Sequence, residues 1–282
     1  MSEIINGREI AKVIKEEIKE FIALRKENNF KVPKISSILV GEDEGSIYYI
    51  NSQEKLALSL GCDFDKIILK EEISEEDLIE KIELLNKDKE IDGIILQLPL
   101  PKKFDERKIV NRINDKKDID CLTYINQGKI FAGEGEIIPC TPNSIITLLE
   151  KSKVDLEGKN IVVIGRSNIV GKPIAQLLLK KNATVTICHS KTKDIKKITK
   201  EGDIIIVAIG KPKFLTEDFV KADSIIIDVG TSSHEGKITG DVDFDNVNGK
   251  VKMITKVPGG VGALTTTLLI KNACEALIRY ED

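Results

Sequence analysis

An aromatic side chain and an amide stand four residues apart in the segment SIYYINSQEK, residues 46–55. The segment has the pattern of a helix, and positions i and i+4 share one helix face, so Tyr49 and Gln53 can reach the same cleft. Chemistry at such a place usually needs a base, but this face offers an amide. Lys55 lies two residues further along, and at about 100° per residue it is on roughly the opposite side.

Two further polar residues stand where chemistry is possible. Gln97, in LQLPLP, follows an apolar strand at the end that opens toward the crevice of a parallel sheet. Taken alone, it could equally be a solvent-facing amide. Asp120, in DKKDIDCL, lies among charges, where a loop cap or a solvated carboxylate is more common than a binding group. Neither residue decides a function by itself.

The turn GRSNIVG, residues 165–171, lies between a predicted strand and a predicted helix. A dinucleotide pyrophosphate rests on a helix N-terminus at such a turn. The spacing G-x-S-x-x-x-G differs from the common G-x-G-x-x-G, so an ordinary strand–helix turn is the alternative. The buried strand before the turn and the cation Arg166 within it favour nucleotide binding.

The end of the following strand, ICHSK, indicates which nucleotide binds. An acidic residue here would accept hydrogen bonds from a ribose 2′-hydroxyl. This chain has Ser190 and Lys191 there, with Arg166 nearby, and a hydroxyl with cations suits a 2′-phosphate. The pattern favours NADP over NAD, with a solvated charged surface as the alternative. His189 and His234 are too few to predict a catalytic triad or a metal site, and no metal is expected.

Alternating strands and helices must position these residues. The alternation predicts an α/β fold with parallel sheets covered on both faces. It restarts after PCTPNSIITLLEKS (139–152), and four further strands with short crossovers predict a second, nucleotide-binding unit. The amphipathic last segment is expected to pack back on the first domain. The predicted strands are 34–40, 64–69, 92–98, 159–165, 183–188, 203–210 and 224–230, and the predicted helices include 46–60, 74–86 and 169–181.

Composition limits the classes of partner. The chain has 282 residues, of which 41% are hydrophobic and 32% charged, and a net charge of −3. The absence of a basic excess argues against nucleic acid or an anionic membrane as the main partner. No apolar run approaches the roughly 18 residues that span a bilayer. The five cysteines form no C-x-x-C pair, so a reducing cytoplasm is the expected location.

Together these segments resemble one family nearly end to end, the methylenetetrahydrofolate dehydrogenase/methenyltetrahydrofolate cyclohydrolases. The ordered set DGIILQLPLP, PCTP, GRSNIVGKP and VPGGVG carries the resemblance. It implies two α/β domains that flank a cleft: a folate-binding catalytic domain (1–138, completed by a C-terminal helix at about 263–282) and a Rossmann-like NADP-binding domain (139–262). It also implies a homodimer joined through the nucleotide domain. The implied reactions are oxidation of 5,10-methylenetetrahydrofolate with NADP and hydrolysis of the methenyl product to 10-formyltetrahydrofolate.

The resemblance also assigns roles to single residues. Tyr49 matches a tyrosine that stacks on the folate, Gln97 a glutamine beside the catalytic lysine, and Asp120 an aspartate that holds the pterin edge. Both a ring face and a carboxylate suit a flat heterocycle with paired N–H donors. The glycine-rich VPGGVG loop lets the backbone approach a ligand closely, and Pro258, Gly259 and Gly260 are assigned to the substrate. The residues assigned to the cofactor are Gly165, Arg166, Ser167, Ile169, Gly171, Ser190 and Thr231.

The chain departs from the family pattern where the catalytic lysine stands, because that position is Gln53. Lys55 matches a second, non-catalytic lysine. Other departures are Cys-Leu-Thr at 121–123 in place of Gly-Phe-His, Pro-Asn-Ser at 142–144 in place of Pro-Lys/Arg-Gly, and Lys256 and Ala263 where prolines are common. This group of changes suggests that one of the two activities has altered.

The chemistry indicates which activity that is. Hydride leaves the methylene carbon with the help of nitrogen lone pairs, so the oxidation needs alignment and no base. Hydrolysis needs a group that moves protons, and a desolvated lysine with a lowered pKa can do so. Gln53 cannot, so the sequence predicts a dehydrogenase with weak or absent cyclohydrolase activity. The alternative is a fully bifunctional enzyme that uses another base, such as Lys256.

Two other classes of protein remain open. A non-catalytic sensor that binds folate or NADP on the same fold would show no turnover, since fold does not determine function. A dehydrogenase of the shikimate type shares a two-domain cleft, but it would leave VPGGVG and PCTP unexplained.

Overall fold

A computed structural model of the chain describes residues 1–234 and 237–281. The strands of this part of the chain are β1 (Glu3–Ile5), β2 (Lys34–Val40), β3 (Asp63–Leu69), β4 (Gly93–Leu96), β5 (Asn160–Ile164), β6 (Thr184–Cys188), β7 (Ile204–Val207), β8 (Ile225–Asp228), β9 (Ser232–His234), β10 (Lys237–Thr239) and β11 (Met253–Thr255). The helices are α1 (Gly7–Glu27), α2 (Glu44–Leu60), α3 (Glu75–Lys87), α4 (Glu106–Val110), α5 (Tyr124–Ala132), α6 (Cys140–Lys151), α7 (Gly171–Lys180), α8 (Ile195–Glu201), α9 (Phe244–Val247) and α10 (Gly262–Tyr280). None of the described helices is both long and apolar enough to cross a membrane.

The chain divides into two compact units, each with its own parallel sheet, which confirms the predicted α/β fold. The six-stranded unit consists of Met1–Val13 and Pro139–Thr265. The three-stranded unit consists of Ile14–Ile138 and Thr266–Asp282, of which residue 282 lies outside the described residues.

The start of the chain differs from the predicted domain 1–138. Strand β1 pairs in parallel with β11, with Glu3 opposite Met253 and Ile5 opposite Thr255, so it belongs to the six-stranded unit. Ile5 is buried there. A strand of three residues is too short to show the two-residue alternation by which strands are recognised in a sequence, and neither β1 nor β11 was predicted.

The sheet of the three-stranded unit has the order β3-β2-β4, and β2 is central. Both neighbours run parallel to it, with Ile35 opposite Phe64 on one side and Gly93 on the other. Strand β4 is buried throughout, as expected for a parallel strand covered on both faces. The core of this unit includes Ile38, Leu78, Ile82, Ile94 and Leu96.

Helix α2 begins two residues before the predicted start. The carboxylate of Asp43 caps it by accepting a hydrogen bond from the Ser46 N–H at 2.8 Å. The helix ends at Gly61, whose φ of 92° is the left-handed conformation that terminates helices. Its buried positions are Ile50, Gln53, Ala57 and Leu60, spaced at three and four residues. Gln53 therefore lies on the face that packs inward.

The sheet of the six-stranded unit has the order β1-β11-β8-β7-β5-β6. The chain runs from β5 outward to β6, returns to the other side of β5 as β7, and continues to β8. This reversal makes the carboxyl end of β5 a topological switch point, where ligands bind in doubly wound folds. Strands β7 and β8 are buried throughout, because both faces of this sheet are covered.

The later part of α10 belongs to the three-stranded unit. The side-chain amide of Asn272 donates hydrogen bonds to the carbonyls of Ile119 at 2.8 Å and Ile138 at 2.9 Å. Arg279 forms an ion pair with Glu136 at 3.1 Å. The predicted C-terminal helix at about 263–282 thus corresponds to α10, whose last residue is Tyr280.

Candidate active site

Three buried polar side chains meet in the three-stranded unit. Gln97 Nε2 donates hydrogen bonds to Gln53 Oε1 at 2.7 Å and to Ser37 Oγ at 2.8 Å. The Ser37 hydroxyl is also 3.5 Å from Gln53 Oε1, to which it donates. Ser37 is fully buried, and Gln53 and Gln97 are 1% and 7% exposed. We call Ser37, Gln53 and Gln97 the amide cluster.

The sheet places two members of the amide cluster side by side. Strands β2 and β4 are adjacent and parallel, with Ser37 opposite Ile95. The backbone N–H of Gln97 continues the pairing by donating to the Ile38 carbonyl at 2.9 Å. Helix α2, which follows β2, supplies Gln53 from its buried face. Ser37 was not singled out in the sequence, since a serine inside an apolar strand has no spacing that marks a site.

Tyr49 lies one helical turn before Gln53 on α2 and is 42% exposed. A half-open ring beside a buried polar cluster is suited to covering a flat ligand. Lys55 is exposed, and Gln53 is buried, as the helical spacing predicted.

Asp120 is half-buried in the loop between α4 and α5. The neighbouring Asp118 holds that loop together. Its buried carboxylate accepts hydrogen bonds from the N–H groups of Leu122 and Thr123, the Thr123 hydroxyl and the Asn126 amide, at 2.7–3.0 Å. Asp118 therefore has a structural role, which the alternation of Asp and Ile in DKKDID does not reveal.

The Cys-Leu-Thr segment at 121–123 fits into this loop. Thr123 is the N-cap of α5 and is 1% exposed. Cys121 is also buried and has a φ of 59°. The pKa of its thiol is raised, first by burial and then by the carboxylates of Asp118 and Asp120. A buried neutral thiol does not serve as a base near neutral pH.

The predicted nucleotide turn lies at the switch point of the six-stranded sheet, between β5 and α7. Ser167 Oγ accepts hydrogen bonds from the N–H groups of Val170 at 3.2 Å and Gly171 at 3.3 Å. Gly165 has a φ of 133°, and a Cβ at Gly165 or Gly171 would collide with backbone carbonyl groups. Glycine is therefore required at both positions. The resulting tight turn leads directly into α7, whose N-terminus is a suitable place for an anion.

Arg166 and Ser190 leave the sheet from neighbouring strands. Ile164 at the end of β5 is opposite Cys188 at the end of β6. Arg166, Ile169 and Ser190 are all exposed. Among the described residues, the Arg166 guanidinium has no hydrogen-bond or ion-pair partner. The turn after β6 is closed by a hydrogen bond from the Lys191 N–H to His189 Nδ1 at 3.1 Å, which assigns His189 to loop structure.

A cavity of about 490 Å³ lies in the six-stranded unit, after the carboxyl ends of β8 and β11. It is lined by Thr231, Pro258 and Gly259 among the predicted site residues, and by Arg8 and Asp228. Gly260 is buried beside it and is not part of the lining. Arg8 was not predicted, because the pairing of β1 with β11 that brings it here is not visible in the sequence.

Asp228, in the six-stranded unit, has a carboxyl group whose pKa is strongly raised. It is 3% exposed and accepts hydrogen bonds from the N–H groups of Gly230, Asp241 and Val242 at 2.9–3.0 Å. Burial raises the pKa of its carboxyl to about 7, against the effect of these N–H groups. Asp241 is also fully buried, and its Oδ2 accepts hydrogen bonds from the N–H groups of Ile209 and Gly210.

Lys256, the alternative base, lies in the six-stranded unit directly after β11 and is exposed. Its ammonium is 5.5 Å from the centre of the Phe244 ring. Ala263 lines the cavity described above.

Two family models match the chain. Residues 5–120 match the tetrahydrofolate dehydrogenase/cyclohydrolase catalytic domain, and residues 139–281 match the NAD(P)-binding domain of the same family. A relative named bifunctional protein FolD, from Clostridium botulinum (strain Eklund 17B / Type B), is 63% identical over 282 residues and covers all of both chains.

Solved structures agree with these matches. The bifunctional FolD methylenetetrahydrofolate dehydrogenase/cyclohydrolase of Campylobacter jejuni is 40% identical, with a TM-score of 0.96 over 99% of this chain and 100% of that one. The Trypanosoma brucei enzyme, solved with NADP and an inhibitor, is 34% identical, with a TM-score of 0.92 over 99% and 98% of the two chains.

Proposed function

Because the chain belongs to the tetrahydrofolate dehydrogenase/cyclohydrolase family, we propose that it oxidises 5,10-methylenetetrahydrofolate with NADP and hydrolyses the methenyl product to 10-formyltetrahydrofolate. The observation that carries this proposal is the 63% identity, over the whole of both chains, to a relative named bifunctional. The same names do not support the expectation that hydrolysis is weak or absent. They agree better with the alternative, in which a group other than residue 53 moves the protons.

The residues of the nucleotide turn fit NADP. Gly165 and Gly171 allow the turn to pack tightly against the backbone where α7 begins, and a pyrophosphate would bind at the N-terminus of that helix. The Arg166 guanidinium and the Ser190 hydroxyl, at the ends of neighbouring strands, would hold a 2′-phosphate. Bound NADP would supply the hydride acceptor.

The folate would bind to the three-stranded unit through Tyr49 and Asp120. The tyrosine ring would stack on the pterin, and the carboxylate would accept its paired N–H groups. Oxidation then requires only that the methylene carbon be held in line with the hydride acceptor. The resemblance also assigns Pro258, Gly259 and Gly260 to substrate binding.

Hydrolysis makes a different demand, since water must lose a proton as it attacks the methenyl carbon. Lys256 is our first candidate for this role, because it follows the strand that leads into the VPGG loop. A dehydrogenase without cyclohydrolase activity is the second candidate function. One observation favours it: the amide cluster contains no titratable side chain, and Gln53 is held there by Gln97.

One assay separates these functions. The purified protein is given methylenetetrahydrofolate with NADP, and in parallel with NAD, and reduced cofactor and methenyl product are followed separately. A second reaction starts from methenyltetrahydrofolate in a buffer that does not catalyse its hydrolysis. Decay that depends on the enzyme, at a rate comparable to the oxidation, supports the bifunctional proposal. Oxidation with persistent methenyl product supports the second candidate, and binding without turnover would leave the sensor.

We propose further that the protein acts in the cytoplasm as a homodimer joined through the six-stranded unit. Light scattering of the purified protein gives its mass in solution, and a monomer at micromolar concentration would contradict the dimer.

A further inference from the structure

We infer that Ser37 is a positioning residue that couples the two amides of the amide cluster, so that the folate meets an uncharged donor and acceptor of fixed direction. The inference rests on the proposed dehydrogenase activity. It concerns the part of the site where the family pattern has a lysine and this chain has Gln53.

The bonds of the amide cluster form a closed triangle. Gln97 Nε2 uses both of its hydrogens, one toward Gln53 Oε1 and one toward Ser37 Oγ. The Ser37 hydroxyl, having accepted one bond, donates its own hydrogen to Gln53 Oε1. A hydroxyl both donates and accepts. If either side-chain amide flipped by 180° alone, two donors or two acceptors would face each other.

Two polar atoms of the amide cluster take no part in the triangle of hydrogen bonds, Gln53 Nε2 and Gln97 Oε1. Neither has a hydrogen-bond partner among the described residues. Within the described residues, the fully enclosed side-chain polar atoms that lack a partner are Ser36 Oγ, Asp241 Oδ1 and Asn248 Oδ1, and neither of the two atoms is among them. Both atoms therefore reach open space, although Gln53 is only 1% exposed. The exposed part of the cluster is one N–H donor and one carbonyl acceptor.

This pair suits hydride removal. The methylene carbon becomes part of a cation as the hydride leaves, and an oriented carbonyl dipole stabilises developing positive charge where it need not reorganise. An ammonium group in the same place would oppose that charge. The direction of the Gln97 carbonyl thus matters mainly in the transition state, and Ser37 holds that direction without touching the substrate.

The neighbouring serine provides a matched control. Ser36 and Ser37 are adjacent on β2 and both fully buried, but the Ser36 hydroxyl has no hydrogen-bond partner in the described part of the chain. Successive residues of a strand point to opposite faces. Ser36→Ala and Ser37→Ala thus remove the same atom from the same strand, and only one of them opens the triangle.

The kinetic test compares these two variants in the oxidation of methylenetetrahydrofolate with NADP. We expect Ser37→Ala to lower kcat by about five- to tenfold with KM within about twofold, because both hydrogen bonds of the Ser37 hydroxyl, which orient the two amides, are lost. Ser36→Ala should stay within about twofold of the wild type on both parameters. Ser37→Thr, which restores the hydroxyl, should recover most of the lost kcat. Equal kcat values for the two alanine variants, or a change in KM alone, would overturn the inference.

A spectroscopic test does not depend on turnover. The chain contains only four glutamines, at 53, 97, 127 and 176, so labelling glutamine with ¹⁵N gives four pairs of side-chain amide signals. Ser37→Ala should shift two of these pairs, assigned by Gln53→Glu and Gln97→Glu, and Ser36→Ala should shift none. Unchanged signals in Ser37→Ala would also refute the coupling. If the Ser37→Ala signals shift as expected but the wild-type protein does not oxidise the folate, the proposed function is refuted instead.

Discussion

Gln97 donates a hydrogen bond to Gln53 across 2.7 Å, and both side chains are buried. The contact pairs an amide donor with an amide acceptor at the position to which the resemblance assigns a lysine. The amide cluster is therefore neutral at every pH at which the protein is folded. Its contribution to catalysis should not titrate, and any pH dependence of the reactions must come from other groups.

Gln53→Lys should introduce a titratable amine at this position. The ammonium would face the amide NH2 of Gln97, so Gln97 must turn its carbonyl oxygen inward, where Ser37 can donate to it. Burial should lower the pKa of the new lysine. We expect folate binding to persist and methenyl hydrolysis to rise, by up to about 10² to 10⁴-fold where the surroundings tune the base. Hydrolysis is measured as decay of methenyl absorbance, with Lys55→Ala as the control on the exposed side of the helix. A lysine variant that binds folate but hydrolyses no faster would show that its surroundings leave the amine ineffective.

Lys256→Ala should abolish enzymatic hydrolysis and spare hydride transfer, because the wild-type amide cluster cannot move a proton. The control is Lys252→Ala, which removes an exposed lysine four residues earlier. Both variants are compared with the wild type in the methenyl assay and in the oxidation assay. Hydrolysis that survives in Lys256→Ala at the wild-type rate would exclude this lysine as the base.

Asp120→Ala should weaken folate binding by about 2–4 kcal/mol, because two charge-assisted hydrogen bonds are lost and the pterin donors are left unpaired. NADP binding should remain nearly unchanged. Titration calorimetry with tetrahydrofolate measures the effect. Asp115→Ala is the control, since that carboxylate pairs with Lys129 at the surface at 2.7 Å. Folate affinity within about twofold of the wild type would remove Asp120 from the pterin site.

Arg166→Ala should cost NADP about 1.5–3 kcal/mol of binding and leave NAD little affected, because only NADP carries the 2′-phosphate. The wild-type protein should prefer NADP, with most of the difference in binding. The two cofactors are compared in the oxidation assay for both proteins, so that NAD is the internal control. A wild type that uses NAD as well as NADP would contradict the assignment of Arg166 and Ser190.

Asp228 should make the stability of the protein fall as pH rises. The pKa of its carboxyl is about 7 in the folded state, above an ordinary value of 3.8, so the folded state holds the proton more tightly. The stabilisation is fully present below about pH 4 and is lost by about pH 7, with a slope of at most about 1.4 kcal/mol per pH unit. Urea unfolding at several pH values, for the wild type and Asp228→Asn at one ionic strength, isolates this slope. A difference between the two proteins that does not change with pH would show that Asp228 keeps an ordinary pKa.

Periodic segments were predictable from the sequence, and long-range pairings were not. Strands β5, β7 and β8 are apolar runs, and α2 and α3 carry capping residues, so the local pattern was sufficient to predict them. Strands β1 and β11 have three residues each and exist because each finds a partner far along the chain. Their position determines that Arg8 lines the cavity, which no local pattern could indicate.

Some residues of the candidate site could be predicted from the sequence, and others could not. Tyr49, Gln53, Gln97 and Asp120 could be singled out from spacing and resemblance. Ser37 could not, because its role depends on the register of β2 against β4. Asp118 and Asp120 look equivalent in the sequence, but only the contacts of the loop give Asp118 its structural role.

The pairing of β1 with β11 has a consequence for how the protein is made. Glu3 is opposite Met253, so one partner of this pair is synthesised about 250 residues before the other. At roughly 5–20 residues per second, β1 waits about 12–50 seconds on the ribosome before β11 exists. The whole of residues 14–138 is synthesised during that interval, and this unit in turn waits for the part of α10 that begins at Thr266. The six-stranded unit has all of its residues once Thr265 is synthesised, and the three-stranded unit needs the rest of α10. We therefore expect the three-stranded unit to finish folding last, after release of the chain.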